Sequence, residues 1–481
     1  MQTSIYKDSS DTMIQFYLNG KLHSEDNLPP TTSVLDYIRE RVGLTGTKEG
    51  CAEGDCGTCS IVLVREEDSN PVYEVVNSCL MMMPQLDGKC VVTVEGLESE
   101  AGFLNPIQDA MVQSDGTQCG FCTPGFVMAL YALRQGGEEI SDGVIHTALA
   151  GNLCRCTGYR PIIEAAHEAC RTNTQDAYGG LADLDAENHY QVDDQQFFAP
   201  ESLTEIADIY ATIPDAYLLA GGTDLGILTS KERQPLTTIL HTSNVKELNE
   251  INETEEAIEF GAAVTYTRAL PYIERLYPSF ATLISRIGSR QIRNIGTLGG
   301  NVGNASPIGD TPPCLIALGA TLKLYSKEGE RELPIEDFFL DYRKTDLKPG
   351  EIIKSIGIPK LIENQEFRTY KISKRYDQDI SSVIGAYRVE IESDKISNIQ
   401  TGFGGMAATP KRALVCEKAL IGEPWKEETM VSAASAVIED FQPIDDHRAS
   451  KHYRLRVAGN LFTRLYRDIA NVEDVIEVMA S

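Results

Sequence analysis

"CAEGDCGTC", residues 51 to 59, sets Cys51, Cys56 and Cys59 close together with Gly54 and Gly57 between them and Gly50 just before. Thiols this crowded either pair as disulfides or hold a metal, and the chain's bulk properties choose between the two. The opening residues, MQTSIYKDSS, lack the basic stretch and apolar core of an export signal. No later window approaches the roughly 18 apolar residues of a membrane span. A cytoplasmic location is therefore expected, where thiols stay reduced. With 481 residues and 42% hydrophobic content, the chain can build about three domains of roughly 150 residues without covalent staples. Metal ligation is the expected role. A formal net charge of -28 argues against nucleic acid or an anionic membrane as partner, since both begin with cationic neutralisation of phosphate.

The flanks of the loop read as a small sheet with one helix. "MIQFYLNGKLH" predicts a hairpin turning at Asn19-Gly20. "TTSVLDYIRERVG" predicts a capped helix with Val34, Leu35, Ile38 and Val42 on one face and Gly43 as its stop. "SIVLV" and "KCVVTVEG" read as strands. The glycines let backbone amides curl toward anionic sulfur, and C-x4-C-x2-C with a distant fourth cysteine is a plant-type [2Fe-2S] spacing. A zinc site, the competing reading, starts more often from short paired knuckles. The fourth ligand is Cys79 or Cys90. Cys90 falls in phase with Val92 and Val94 on a strand face, as a packing residue does, so Cys79, at the end of "VVNSC", is taken as the ligand.

A second constellation lies in "QCGFCTPGFVMAL" and "GNLCRCTGYRPIIEAAHEAC". Cys119 and Cys122 precede a helix opening near Thr123-Pro124, and Cys154 and Cys156 precede one opening near Arg160-Pro161. Two helix N-termini can then face one anionic cluster, while C-x-C suits a zinc knuckle poorly. Cys170, at the far end of the second helix, reads as packing. Ten of the twelve cysteines lie in the first 170 residues, so the metal chemistry is N-terminal. An acidic, glutamine-rich stretch at 172–196 reads as a linker.

These motifs, with "NSCL", "QCGFCTPG" and "CRCTGYRPI", resemble the iron–sulfur portion of the molybdenum hydroxylases over residues 12 to 170. The resemblance implies a plant-type ferredoxin-like β-grasp domain at 12–97 and a four-helix [2Fe-2S] bundle at 98–171. Gln118 occupies the position from which that family contacts the pterin of the molybdenum cofactor.

Beyond the linker, "AYLLAGGTDLGIL" and "RNIGTLGGNVGNASPIGDTPPCLIALGA" have compositions that cradle phosphate, although each alone could be a glycine-rich turn. Together they resemble the α/β FAD-binding domain of the same family, of the vanillyl-alcohol-oxidase/CO-dehydrogenase-flavoprotein type, expected at 197–370 with a C-terminal α/β subdomain at 371–481. The resemblance carries FAD contacts to Leu218, Leu219, Ala220, Gly221, Gly222, Thr223, Asp224 and Leu225, then to Gly296, Thr297, Gly300, Asn301, Asn304, Asp310, Ile353 and Lys371. "GFGGMA", 402–407, fits a dinucleotide pattern, but Pro410 interrupts the helix that should follow, so it reads as a turn. The basic stretch 447–467 reads as a solvated or interface helix.

The fold class implied is α+β multidomain, with no room for a molybdopterin domain. Iron–sulfur and flavin portions fused in this order look like the small subunit of a bacterial-type xanthine dehydrogenase. That likeness implies two [2Fe-2S] clusters and FAD here, with the molybdenum cofactor on a large partner subunit, as an (αβ)2 heterotetramer. Electrons from purine oxidation would reach NAD+ through this chain, with no catalytic acid or base in it. A reductase subunit for an aldehyde or N-heterocycle hydroxylase and a non-catalytic zinc scaffold are the alternatives. Arg375, Asp377 and Asp379 could line a nicotinamide site or form a polar loop, and Ile287 could neighbour the flavin ring.

Overall fold

In the computed structural model, which describes residues 12–67, 70–99, 101–171, 178–179, 184 and 186–472, Asn19 and Gly20 adopt left-handed φ values of 52° and 77°. That geometry matches the twist of a two-residue hairpin and pairs Ile14–Leu18 with Lys21–Glu25. Ile14–Leu18 runs parallel to Cys90–Val92, followed by Ser60–Glu67 and Asn70–Asn77, completing a five-stranded mixed sheet. The strand expected to run on past Val92 stops because Asn19 takes its edge. The Thr93 amide donates to Asn19 Oδ1 at 2.8 Å, and Asn19 Nδ2 donates to Thr93 Oγ1 at 3.0 Å. The expected helix is capped by Ser33, which accepts from the Asp36 amide at 3.0 Å. It is α-helical only over Val34–Asp36 and widens into a π turn over Tyr37–Arg41. The wider turn adds Tyr37 to the buried set of Val34, Leu35 and Ile38.

Alternate strand residues point to opposite faces. Ile61, Leu63, Val76 and Val91 pack with Tyr37, whereas Val62, Val64, Val75, Cys90 and Val92 pack against a second body. That body has four helices, Pro106–Gln113, Thr123–Gly136, Asp142–Leu149 and Arg160–Ala169. Thr123–Gly136 is its centre, buried at every residue from Gly125 to Arg134.

Residues 189–196, expected as linker, instead form most of a hairpin, His189–Val192 with Gln195–Phe198, because Tyr190, Val192, Phe197 and Phe198 are buried. Residues 172–177, 180–183 and 185 of that stretch lie outside the described residues. Gln195–Phe198 and Tyr217–Leu219 flank Thr238–His241 in parallel. A second, antiparallel sheet runs Ile251–Glu253, Ala257–Gly261, Ile352–Pro359, Thr321–Ser326, Gly329–Pro334. The last body is a meander of Gln365–Ile372, Val383–Glu392 and Lys395–Gly404 sharing one core with Leu414–Leu420, Glu427–Ala434 and Lys451–Ile469.

"GFGGMA" ends this meander. A β-carbon at Gly402 would lie 1.9 Å from the Pro313 carbonyl oxygen, so the glycine serves close packing, and the next helix begins only at Leu414. The basic C-terminal helix is anchored rather than merely solvated. Buried Arg454 donates to the carbonyls of Ser382 and Gly405 and, at 2.7 Å, to Asp446 Oδ1. Among the described residues, no helix is long and apolar enough to cross a membrane.

The bodies meet backbone to backbone. A β-carbon at Gly125 would stand 2.1 Å from the Gly57 carbonyl oxygen, and one at Gly151 would stand 2.2 Å from Gln291 Oε1. Gly125→Ala should therefore lower stability by about 1–3 kcal/mol, the usual cost of overpacking. Hydrogen exchange should show this as lost protection in Thr123–Gly136 and at Ser60. Gly143→Ala, a helical position with nothing within 4 Å of its β-carbon, should leave protection equal or higher.

Candidate cofactor sites

The loop at 51–59 and the end of Asn70–Asn77 bring four thiols together as two pairs. Cys59 Sγ lies 3.3 Å from Cys79 Sγ, and Cys51 and Cys56 hydrogen-bond to one another. Backbone amides of Glu53 and Asp55 donate to Cys51 Sγ at 3.5 and 3.3 Å, and Cys56 Sγ meets Thr58 Oγ1 at 3.3 Å. Left-handed φ at Gly54 and Gly57, 79° and 68°, makes that inward curl of amides possible. The Cys56 thiol is pulled down to about 6, first by its hydrogen bond with Cys51 and then by Thr58 against the opposing effect of burial. Cys59 is lowered by hydrogen bonding with Cys79, which is raised in turn. Cys90 belongs to neither pair and sits in the core on the bundle side of the sheet.

The second set pairs Cys119 with Cys156 and Cys122 with Cys154. Cys122 is the N-cap of Thr123–Gly136, and Tyr159, at φ 69°, is the N-cap of Arg160–Ala169. The Cys154 amide donates to Tyr159 Oη at 3.0 Å, and Cys154 Sγ meets Thr157 Oγ1 at 3.2 Å. Cys119 is lowered by the Phe121 amide and by Cys156, while Cys122 is raised to about 12 by burial and by Cys154. Each site thus offers four sulfurs as two couples, in each of which one thiol is acidified. Thiolates are what metal ligation requires, and two couples suit two irons. Cys170 is apart, buried against the Leu130 carbonyl.

The two thiol sites differ in exposure. Cys59 and Cys79 are buried. Cys119, Cys156 and neighbouring Gln118 are exposed, as are Phe121, Leu153 and Tyr159 around them.

Between the two sheets of the third body lies a cleft of about 490 Å³. Leu218 to Leu225 form one wall, and Gly296, Thr297, Gly300, Asn301 and Asn304 form another, with Ile353 and Ile287 also facing it. At the base the walls touch, since a β-carbon on Gly221 would fall 1.7 Å from the Ile295 carbonyl oxygen. Thr297 caps the short helix Leu298–Gly303, accepting from the Gly300 amide at 2.9 Å. No lysine or arginine lines the cleft, and Asp224 is its one charged residue among the described residues. Apolar walls with glycine, threonine and asparagine amides fit a flavin dinucleotide, with aliphatic surface for rings and backbone donors for phosphates.

Two expected contacts fall outside these walls. Asp310 and Lys371 form a buried ion pair at 2.6 Å, with Ser381 donating to Asp310 at 2.7 Å. Burial forces each charge to find a counter-charge, and Lys371 lines a neighbouring cavity instead. Of the polar loop, Asp379 accepts the Lys374 and Arg375 amides at 2.7 and 2.8 Å. It shapes its own loop.

Sequence reasoning missed Tyr266, Ala262, Thr242, Leu347, Ile352 and Ile292, all of which line the cleft. They come from separate helices, strands and turns and belong to no local pattern. Ile292 matters most, because it also packs against Leu35, Cys59, Cys79 and Leu80. Gly226, in the helix that follows the first glycine turn, lies so near that a β-carbon there would be 2.3 Å from the Leu80 carbonyl oxygen. The first thiol site therefore abuts the wall of the cleft.

Comparison with known proteins places four families along the chain. Residues 16–83 match the 2Fe-2S iron-sulfur cluster binding domain, and 93–167 match the [2Fe-2S] binding domain. Residues 190–361 match the FAD binding domain in molybdopterin dehydrogenase, and 368–469 match the CO dehydrogenase flavoprotein C-terminal domain. Xanthine dehydrogenase of Drosophila subobscura is 31% identical across 90% of this chain and 37% of its own length. That of Emericella nidulans is 32% identical across 95% of this chain and 39% of its own. The chain thus spans well under half the length of these relatives. Among solved structures, a carbon monoxide dehydrogenase chain from Hydrogenophaga pseudoflava aligns at TM-score 0.53 and 26% identity over 56% of this chain and 94% of its own. Quinoline 2-oxidoreductase from Pseudomonas putida 86 aligns at TM-score 0.52 and 27% identity, over 56% of this chain and 95% of its own. With both iron–sulfur domains and both flavoprotein domains in series on one polypeptide, the chain belongs to the molybdenum hydroxylase family as an iron–sulfur and flavin electron-transfer module.

Proposed function

We propose that this chain is the electron-transfer subunit of a xanthine dehydrogenase, receiving electrons from a molybdenum cofactor held by a larger partner and delivering them to NAD+. The observation that carries this reading is likeness to xanthine dehydrogenases across 90–95% of the chain, iron–sulfur and flavin portions together; the carbon monoxide and quinoline chains, each matched over 94–95% of its own length, align with 56% of this one. When bound, two [2Fe-2S] clusters would supply one-electron carriers and FAD a two-electron carrier able to give up hydride. The Cys51/Cys56 and Cys59/Cys79 couples would hold one cluster, and Cys119/Cys156 and Cys122/Cys154 the other. The glycine turns at 221–222 and 296–300 would bind FAD through backbone donors.

The division of labour follows from exposure. Phe121, Leu153 and Tyr159 surround the outer thiols with exposed apolar surface, which a partner would cover, and the exposed Gln118 beside Cys119 would contact that partner's cofactor. Ile292 and Leu80 fill the space between the inner thiols and the cleft, keeping water out of the gap. A reductase subunit for a different hydroxylase is the second reading, favoured by the quinoline 2-oxidoreductase alignment. Copurification of the native complex followed by a substrate screen separates the two.

Three measurements test the proposal. The purified chain should contain about four iron and four labile sulfide per FAD, whereas stoichiometric zinc without sulfide would refute it. Cys79→Ser should abolish the electron paramagnetic resonance signal of the inner cluster and Cys90→Ser should spare it. The opposite result would move the fourth ligand to Cys90. In the assembled complex, Cys154→Ser should stop xanthine from bleaching the flavin while NADH still reduces a dye. Bleaching by xanthine at the wild-type rate would overturn the proposed order.

A further inference from the structure

Consecutive residues face two different cavities. Ile287 lines the flavin cleft, and Arg286 lines a second cavity of about 960 Å³. Pro278–Ser285, the strand Gln365–Ile372 with the loop after it, and the end of Lys451–Ile469 enclose this second space. Its wall is strongly cationic. Arg368, Lys374, Arg375, Arg464 and Arg467 line it against one carboxylate, Asp468, in a chain whose net charge is -28. The contrast with the flavin cleft, which no lysine or arginine lines among the described residues, means that the two spaces suit different ligands.

Several of these cations are already matched. Glu366 pairs with Arg368 at 2.9 Å, Glu427 with Arg467 at 2.6 Å, and Asp379 with Arg375 at 3.9 Å. Arg464 has Asp468 within 3.7 Å, and Lys374 and Arg286 are left without a carboxylate within 4 Å among the described residues. Lys374 Nζ donates to the His447 carbonyl at 2.9 Å. Arg286 spends its guanidinium on the Tyr376 and Lys371 carbonyls and the Ser373 hydroxyl, and lies 4.4 Å from the centre of the Tyr376 ring. Arg464 lies over Tyr370 at 4.8 Å, with Asp468 Oδ2 no nearer than 3.7 Å to its Nε, and that buried Nε has no hydrogen-bond partner. Leaving such a donor unmet is costly; an anion would meet it, while the neighbouring Asp468 Oδ1, also buried without a partner, offers that anion nothing, so the arginine and lysine side chains must carry the binding.

We propose that this cavity is a second ligand site, distinct from the flavin cleft, that takes the diphosphate of a nucleotide. Arginine and lysine recognise phosphate oxygens through charge-assisted hydrogen bonds. A space of this size accommodates a whole nucleotide, and Tyr376 offers an aromatic surface beside the cations. The negative field of the rest of the chain is offset only locally, so binding depends on these side chains rather than on general attraction. The site does not rest on the acceptor assigned above, because a complex unable to reduce NAD+ would still bind here.

The test is calorimetry on the flavin-loaded chain, in which the flavin cleft is already filled, with ADP, inorganic pyrophosphate and adenosine as probes. ADP should bind one to one and pyrophosphate more weakly, while adenosine should give no heat. Lys374→Ala, at an exposed loop position, should weaken ADP about tenfold with the flavin spectrum unchanged, as expected for one charge-assisted hydrogen bond. Arg464→Gln should do the same, and if that variant fails to fold, Lys374→Ala carries the test. The site is refuted by the absence of ADP binding, by adenosine binding as tightly as ADP, or by unchanged ADP affinity in Lys374→Ala.

Discussion

The arrangement of every site depends on the buried side-chain amide of Gln291. Its Nε2 donates to Ser60 Oγ in the sheet domain at 3.2 Å and to Asn152 Oδ1 in the bundle at 3.0 Å. Asn152 Nδ2 in turn donates to the Gly57 carbonyl at 3.1 Å, to which Ser60 also donates at 2.8 Å. Three bodies thus share one buried network through the Nε2 end of this amide, whose Oε1 has no partner among the described residues, and each further buried group left unmet would cost about 1–3 kcal/mol. The glycines at 57, 125 and 151 bring the backbones close enough for these short side chains to span the seam. With the seam fixed, the inner thiols and the flavin cleft are fixed too, because Gly57 borders one and Ile292 the other.

Much of this was legible in the sequence, and for local reasons. Thiol spacing, glycine positions and helix openings at Thr123 and Arg160 are short-range signals, because backbone conformation and capping are set by neighbours a few residues apart. The strand phase that assigned Cys90 to packing was equally local, and the structure seats it among Val62, Val64 and Val92. What escaped the reading is long-range. Gln291 meets residues 139 and 231 positions away, and Tyr266 and Ile352 reach the cleft from the start of a helix and the start of a strand with no shared motif. The ion pair of Asp310 and Lys371 is long-range as well, joining residues 61 positions apart, which no local motif shows.

The unequal exposure of the two thiol sites gives the molecule a polarity. In one set Cys59 and Cys79 are buried and Cys51 and Cys56 half-buried, while the other lies among exposed aromatic and aliphatic side chains on the bundle. Under the proposed relay, a carrier that accepts from one protein and delivers within itself needs this asymmetry. An enclosed entry site would be unreachable, and an exposed internal site would admit water between donor and acceptor, raising the polarity of a gap that Ile292 and Leu80 now fill.

The seam also has a temporal side. Synthesis runs from the N-terminus at about 5–20 residues per second, and Gln291 follows its partner Ser60 by 231 residues. The inner thiols therefore exist for roughly 10–45 s before the segment that encloses them has been made. Metal can reach them in that interval without any domain having to reopen. Once residues 289–294 have closed over the loop, exchange at that site requires breaking a buried network shared by three bodies.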